Sequence, residues 1–153
     1  MGEIHVHEFI SLDGNIDEPT WTFDYEWDPK MGDRLRAVTD RARGILLGRT
    51  TFEMFAPAWS TRTVEDDEGA PFFNDTPKYV VSNTLTGAAS IWQNSTVLGT
   101  YDPEAIRKLK EEVGDLYVSG SRTLVQAMLK DGLVDALHLC VFPVTRSSGA
   151  RLF

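Results

Sequence analysis

Two stretches of this chain place glycine and hydroxyl residues where an apolar run turns into helical spacing. In one, Asp115-Leu116-Tyr117-Val118-Ser119 breaks at Gly120-Ser121 and resumes as Arg122-Thr123-Leu124-Val125-Gln126-Ala127-Met128-Leu129. In the other, Gly44-Ile45-Leu46-Leu47-Gly48 runs into Arg49-Thr50-Thr51-Phe52-Glu53-Met54-Phe55. Where a strand feeds a helix through glycine and serine, unpaired backbone N–H groups and the positive end of the helix dipole point at one spot, and an anion can sit there without a lysine. Two such junctions imply a dinucleotide. The plainer alternatives are helix capping by Ser121 and a surface ion pair for Arg49.

Other side chains with reactive chemistry are few. Asp13, in Ser11-Leu12-Asp13-Gly14, is placed either to orient a substrate and support its protonation or to serve an ordinary Asp-Gly turn. Trp21, Phe23, Tyr25 and Trp27 suit either stacking on a flat heterocycle or plain packing, and Asp24, Glu26 and Asp28 read as a solvated face. His5 and His7 lie two apart on one strand face, but no third ligand at suggestive spacing accompanies them, so no metal site is expected. His138 and Cys140 also share a strand face, and with no acid or activating helix start nearby they read as sheet packing rather than a nucleophilic pair.

The elements that must position these groups alternate between strand and helix. Glu3 to Ile10 has a period of two, Asp28-Pro29 starts a helix carrying Leu35, Val38 and Ala42 on one face, and residues 15 to 29 read as an irregular loop. After the Arg49 helix, Pro57 to Pro77 is a long stretch with acids at Glu65 to Glu68, of the length usual for a lid or binding loop. Lys78 to Ser82 and Thr96 to Gly99 read as strands, and Asp102-Pro103-Glu104 starts a helix running to about Val113. Gly132 ends the helix opened by Ser121, and Val134 to Val144 reads as a last strand. The pattern is one α/β domain over residues 1–153 with a mostly parallel sheet.

Composition narrows the function. With 153 residues, 42% hydrophobic and 25% charged, the chain suits one folded domain. Its formal charge is 15 − 23 = −8 with no block of lysines or arginines, which argues against nonspecific binding to nucleic acid or anionic membrane. Cys140 is the sole cysteine, so no intrachain disulfide forms, and the first residues lack the basic start and apolar core of a signal peptide. A cytoplasmic location is expected. The apolar pair Leu152-Phe153 is expected to be buried, by the domain's own core or by a second copy.

Ser11-Leu12-Asp13-Gly14, Leu47-Gly48-Arg49-Thr50-Thr51-Phe52-Glu53, Pro77-Lys78-Tyr79-Val80-Val81-Ser82, Val118-Ser119-Gly120-Ser121-Arg122-Thr123-Leu124 and Gly132-Leu133-Val134-Asp135 stand in the order and rough spacing of the dihydrofolate-reductase-like family. The chain resembles, over nearly its whole length, the reductase domain of the bacterial bifunctional riboflavin-biosynthesis deaminase-reductase and its stand-alone relatives. No zinc-deaminase signature is present.

The resemblance implies a three-layer α/β fold and an NADPH-dependent reductase, in the riboflavin case reducing the ribose of a phosphoribosylaminopyrimidine. By position it implies that Gly48, Arg49, Thr50 and Thr51 hold the diphosphate or adenosine phosphate, and that Ser82 and Asn83 lie near the adenosine ribose. Gly120, Ser121, Arg122, Thr123 and Leu124 would form the second phosphate turn. Asp13 would be the catalytic acid, with Ser11, Gly14 and Trp27 on the substrate side. Reduction of a pterin, or a noncatalytic nucleotide-binding or assembly module, are the other readings.

Two positions depart from the family. Asn83 stands where members often carry arginine, which leaves the choice between NADPH and NADH open. Pro143-Val144-Thr145-Arg146-Ser147-Ser148-Gly149 replaces the Pro-Val-x-Leu-Gly-x-Gly pattern, and the terminal antiparallel hairpin of relatives is missing from this sequence. The last strand should therefore present an open edge, covered by a second copy in a homodimer, the alternative being a partially degraded reductase.

Overall fold

The computed structural model describes residues 2–17 and 19–153. Its strands are β1 (Ile4–Ser11), β2 (Gly44–Gly48), β3 (Lys78–Val81), β4 (Ser95–Gly99), β5 (Leu116–Val118) and β6 (Ala136–Phe142). The helices are α1 (Pro29–Thr39), α2 (Arg49–Trp59), α3 (Ala70–Asp75), α4 (Ala88–Ile91), α5 (Pro103–Val113) and α6 (Arg122–Lys130). All six strands form one sheet in the order β4-β3-β2-β5-β1-β6, and every pairing is parallel. The expected three-layer α/β architecture is present, with a wholly parallel sheet.

Alternation along the buried strands divides the core in two. Leu46 of β2 joins Ile4, Val6, Leu116 and Val118 under Ile106 and Leu109 of α5 and Leu124, Val125 and Met128 of α6. Its neighbours Ile45 and Leu47 face the other way, toward Val38 of α1 and Phe52 and Ala56 of α2. Burial on both faces is what a parallel sheet with crossover helices requires.

Helix starts follow local chemistry. The Asp28 carboxylate accepts from the Lys30 N–H at 2.9 Å and Asp102 from Glu104 N–H at 3.0 Å, each with proline at the next position. Three segments differ from the sequence expectation. A 3-10 helix at Pro19–Asp24 occupies the region read as irregular. Helix α2 continues through Pro57 to Trp59, where the missing N–H falls on an exposed face. The stretch read as a lid contains α3 and fixed turns: Asp66 accepts from Thr63 N–H, Asp67 from Gly69 N–H, and Glu68 pairs with Arg36 at 2.7 Å.

Lys78 ties α3 to the sheet. It is 0% exposed, and its ammonium donates to the carbonyls of Phe73, Asn74 and Thr76 at 2.7, 3.0 and 3.0 Å while lying 4.4 Å from the Trp92 ring centre. Burial lowers its pKa to about 8 against the charge of Asp75. Lys78→Met should cost about 1–3 kcal/mol in urea unfolding, because carbonyl oxygens at the end of α3 lose their donor.

The closing segment does not form a hairpin. Residues 143–152 cross back over the turn after β1: Leu12 N–H donates to Val144 O at 2.8 Å, Ile16 N–H to Ala150 O at 2.9 Å and Leu152 N–H to Gly14 O at 3.0 Å. Leu152 is 2% exposed in the core, whereas Phe153 is 76% exposed, so only the first of that pair is buried. Strand β6 is an edge of the sheet among the described residues, and its Val141 is 53% exposed. No helix of the described residues is long and apolar enough to cross a membrane.

Candidate functional site

The two glycine junctions meet at the carboxyl ends of neighbouring strands. Leu46 is paired with Val118, so Gly48 and Gly120 each stand two residues beyond the same level of the sheet. From there the chain diverges, α2 packing on one face and α6 on the other. That is a topological switch point, where open parallel sheets leave a crevice.

Contact between the loops is close. Gly48 N–H donates to Gly120 O at 3.2 Å. A Cβ on Gly48 would lie 2.1 Å from Ser121 Oγ, and one on Gly120, whose φ is +152°, would lie 2.6 Å from Thr51 Oγ1. Only glycine fits either position. Gly48 brings no side-chain cap to α2, so the first amides of that helix have no side-chain acceptor there. Ser121 does cap its own helix, accepting from Leu124 N–H at 3.5 Å, so the capping reading of that serine is realised in the structure.

The remaining cofactor candidates divide by exposure. Arg49, Thr50, Asn83, Arg122 and Thr123 are exposed around the crevice, while Thr51 is buried against Gly120. Arg49 donates to Thr84 Oγ1 at 3.2 Å and lies 3.9 Å from Glu53, which joins the α2 entrance to the loop after β3. The Ser82 hydroxyl accepts from Thr84 and Leu85 N–H and shapes that loop. The Leu124 side chain is 5% exposed and packs in the core, so only its backbone borders the turn.

The Ser11–Gly14 turn lies beyond the same end of the sheet as the crevice. Val6 pairs with Val118, which puts Gly120 level with Glu8, and Ser11 lies three residues further along β1, roughly 10 Å at about 3.3 Å per residue. Trp21 is buried against Phe142 with Arg146 over its ring, which is packing. Trp27 is 55% exposed, edge-on to Phe9, and leaves a ring face available.

Asp13 is engaged by its own chain. Its carboxylate accepts from Ser11 Oγ at 2.5 Å, Arg146 N–H at 3.1 Å and Ser147 N–H at 3.0 Å. Those donors, the Ser11 hydroxyl first, lower its pKa to about 2, so it is an anion at neutral pH with no proton to give. Ser11, 2% exposed, also accepts from Asn15 N–H. A depressed carboxyl contributes above its unfolded pKa, about 3.9, and loses that contribution as pH falls toward 2. Residues 143–152 should therefore stay protected from amide exchange down to about pH 4, and Asp13→Asn should speed their exchange at least about tenfold at pH 7.

Two buried groups on β1 were not expected. His7, 2% exposed, meets the Tyr117 hydroxyl at 3.3 Å, and its Nε2 is without a partner; burial, then His138, lowers its pKa to about 4. Glu8, 8% exposed, sits between Val6 and Ile10 with Oε1 unpartnered, and burial raises its pKa to about 8. Alternation with apolar residues hid Glu8 as an ordinary solvated position. Burial likewise raises the Cys140 thiol, consistent with packing rather than nucleophilic use.

The fold is the one expected of the dihydrofolate-reductase-like class. The chain belongs to the RibD C-terminal domain family, whose model matches residues 3–153. A riboflavin biosynthesis protein of Shewanella sp. PV-4 shares the fold at 23% identity and TM-score 0.76, over 99% of this chain and 82% of its own. The Saccharomyces cerevisiae riboflavin biosynthesis reductase does so at 14% and 0.61, over 99% and 78%. The Thermotoga maritima diaminohydroxyphosphoribosylaminopyrimidine deaminase/5-amino-6-(5-phosphoribosylamino)uracil reductase matches at 16% and 0.66, over 99% of this chain and 48% of that one. No curated protein matches the chain in sequence.

Proposed function

We propose that this chain is an NADPH-dependent reductase of the riboflavin-pathway type, acting on a ribosylaminopyrimidine or a similar heterocyclic or sugar-imine acceptor. The observation that carries the reading is the pair of abutting glycine junctions at the β2–β5 switch point. Positions where a Cβ would strike Ser121 or Thr51 are the kind of cradle a diphosphate needs, since backbone amides must approach its oxygens closely. Arg49 and Arg122, both exposed there, supply local positive charge in a chain of net charge −8.

In this reading Gly48, Arg49, Thr50 and Thr51 hold one phosphate group, Gly120 to Thr123 the other, and Asn83 borders the adenosine ribose. When bound, the nicotinamide supplies a hydride. The protein's part is to orient the acceptor beside the Ser11–Gly14 turn, with Trp27 against its flat face, and to exclude water. Asp13, being ionised, acts there by holding the turn and the 143–152 segment in place. A cytoplasmic location belongs to the same proposal. So does a homodimer through the β6 edge, which equilibrium sedimentation would report as about twice the mass of one chain.

A specific observation favours a second reading, a noncatalytic nucleotide-binding module: the Ser11 hydroxyl and the Asp13 carboxylate are both committed to intrachain hydrogen bonds. Titration with NADPH, followed by cofactor fluorescence, tests binding, and oxidation of the cofactor on adding ribosylaminopyrimidines, pterins and simple carbonyls tests chemistry. Binding with turnover supports the reductase. Binding without turnover across the panel supports the module, and no binding overturns both.

A further inference from the structure

We propose that Glu3, His5 and Asp115 form a binding site for a divalent transition metal of the zinc class, at the amino-terminal end of the sheet. One ligand atom from each lies within 4.8 Å of the other two, and Glu3 Oε2 is 3.0 Å from His5 Nε2. Metal–ligand bonds of about 2.0–2.2 Å put neighbouring ligand atoms roughly 3–4 Å apart, so small rotations complete the set. The site lies at the start of β1, away from the Ser11 turn by seven residues or roughly 23 Å.

The surroundings orient each ligand. Asp115 Oδ1 accepts from Glu3 N–H at 2.9 Å, which leaves Oδ2 for another partner. His5 Nδ1 lies 3.0 Å from Nε2 of His138, which fixes the plane of the His5 ring. With His5 Nδ1–H donating to His138 Nε2, His5 would present a lone pair at Nε2 to an ion. Asp135, which accepts from Ile4 N–H and Lys110, is already occupied.

Arg41 stands in for the cation. Its Nη2 is 3.2 Å from Glu3 Oε2 and 3.2 Å from Asp115 Oδ2, bridging the two carboxylates from a side chain that is 58% exposed. An exposed guanidinium held only by such contacts can swing aside. Beside it a depression of about 210 Å³, lined by His5, Arg34, Ala37, Val38, Arg41 and His138, gives an ion and its waters access.

Chelator-stripped, tag-free full-length chain titrated with Co2+ should show a visible d–d band saturating at one ion per chain and displaced by Zn2+. Glu3→Gln and His5→Gln should each weaken binding at least about 100-fold, and His138→Phe about 10-fold, the usual effect of losing an outer-shell partner. Arg41→Ala should bind more tightly than the unaltered chain, because the guanidinium no longer occupies the two carboxylates. Circular dichroism confirms folding, and Glu3, exposed at the strand's start, gives a variant with little structural risk. NADPH binding should be unchanged throughout, so failure here is separate from failure of the crevice. Equal Co2+ affinity in the unaltered chain and Glu3→Gln, or no gain in Arg41→Ala, overturns the proposal.

Discussion

Gly48→Ala should abolish NADPH binding, with at least about a 100-fold loss of affinity in a fluorescence titration. Its new methyl would meet Ser121 Oγ at 2.1 Å, Ser121 Cβ at 2.8 Å and Ser121 N at 3.1 Å. The hydroxyl could rotate away, but Cβ and backbone cannot, so the β2–α2 and β5–α6 loops must part. Overpacking of this kind costs about 1–3 kcal/mol in stability, and here it also moves the amides that would meet the phosphates. Steric origin gives the effect a signature. Adding Ser121→Gly removes the two nearest atoms, the next being Ser121 N at 3.1 Å, so the double variant should recover most of the lost stability and part of the binding. Gly87→Ala is the control: its φ of +65° strains any alanine by about 1 kcal/mol, but nothing lies within 4 Å, so the cofactor should not notice. If Gly48→Ala binds NADPH normally, the crevice is not the cofactor site.

What made those junctions legible was local: glycine and serine between an apolar run and helical spacing mark a strand feeding a helix. Their adjacency was not legible, because it depends on β2 and β5 being neighbours although α2 through α5 separate them in the chain. The same division holds elsewhere. Asp28-Pro29 and Asp102-Pro103 fixed two helix starts because a cap acts within its own turn. Pro57 gave the wrong end for α2, since proline breaks a helix only where its missing N–H and ring matter, and there the helix surface is solvent. Asp13 was visible as a reactive type. Its partners, the amides of Arg146 and Ser147, come from the far end of the chain and carry no sequence mark at all. Asp115 was invisible as a neighbour of His5 for the same reason.

Glu8 should make the protein less stable as pH rises from about 6.5 to 8. For a carboxyl raised by burial to about 8, the folded state holds a proton that the unfolded chain, with pKa about 4.3, releases. Stability then falls with pH between those two values, by at most about 1.4 kcal/mol per unit. His7 acts in the opposite sense. Lowered to about 4 from an unfolded value near 6.5, it makes the unfolded state the better proton binder in that window, so stability rises with pH there. The two slopes cancel up to about pH 6.5, and above it Glu8 acts alone until about pH 8, where Lys78, itself lowered to about 8, begins to add stability. The net expectation is a plateau from about pH 4.5 to 6.5 and a loss of up to about 2 kcal/mol by pH 8, seen as a melting temperature lower by about 4–8 °C for a chain this size. Glu8→Gln should remove that descent and, by taking away the slope that offsets His7, make stability rise with pH between about 4.5 and 6.5. Glu8→Leu should go further and raise stability at pH 8 by about 2–4 kcal/mol, because it replaces an unpartnered acid among Val6, Ile10 and the α6 layer with a side chain that belongs there. A natural core that keeps so costly a group in place of leucine points to a use for it, and the Leu variant separates the two possibilities. Turnover retained alongside the added stability would make Glu8 a tolerated defect. Turnover lost from a more stable enzyme would mark the buried proton as part of its chemistry.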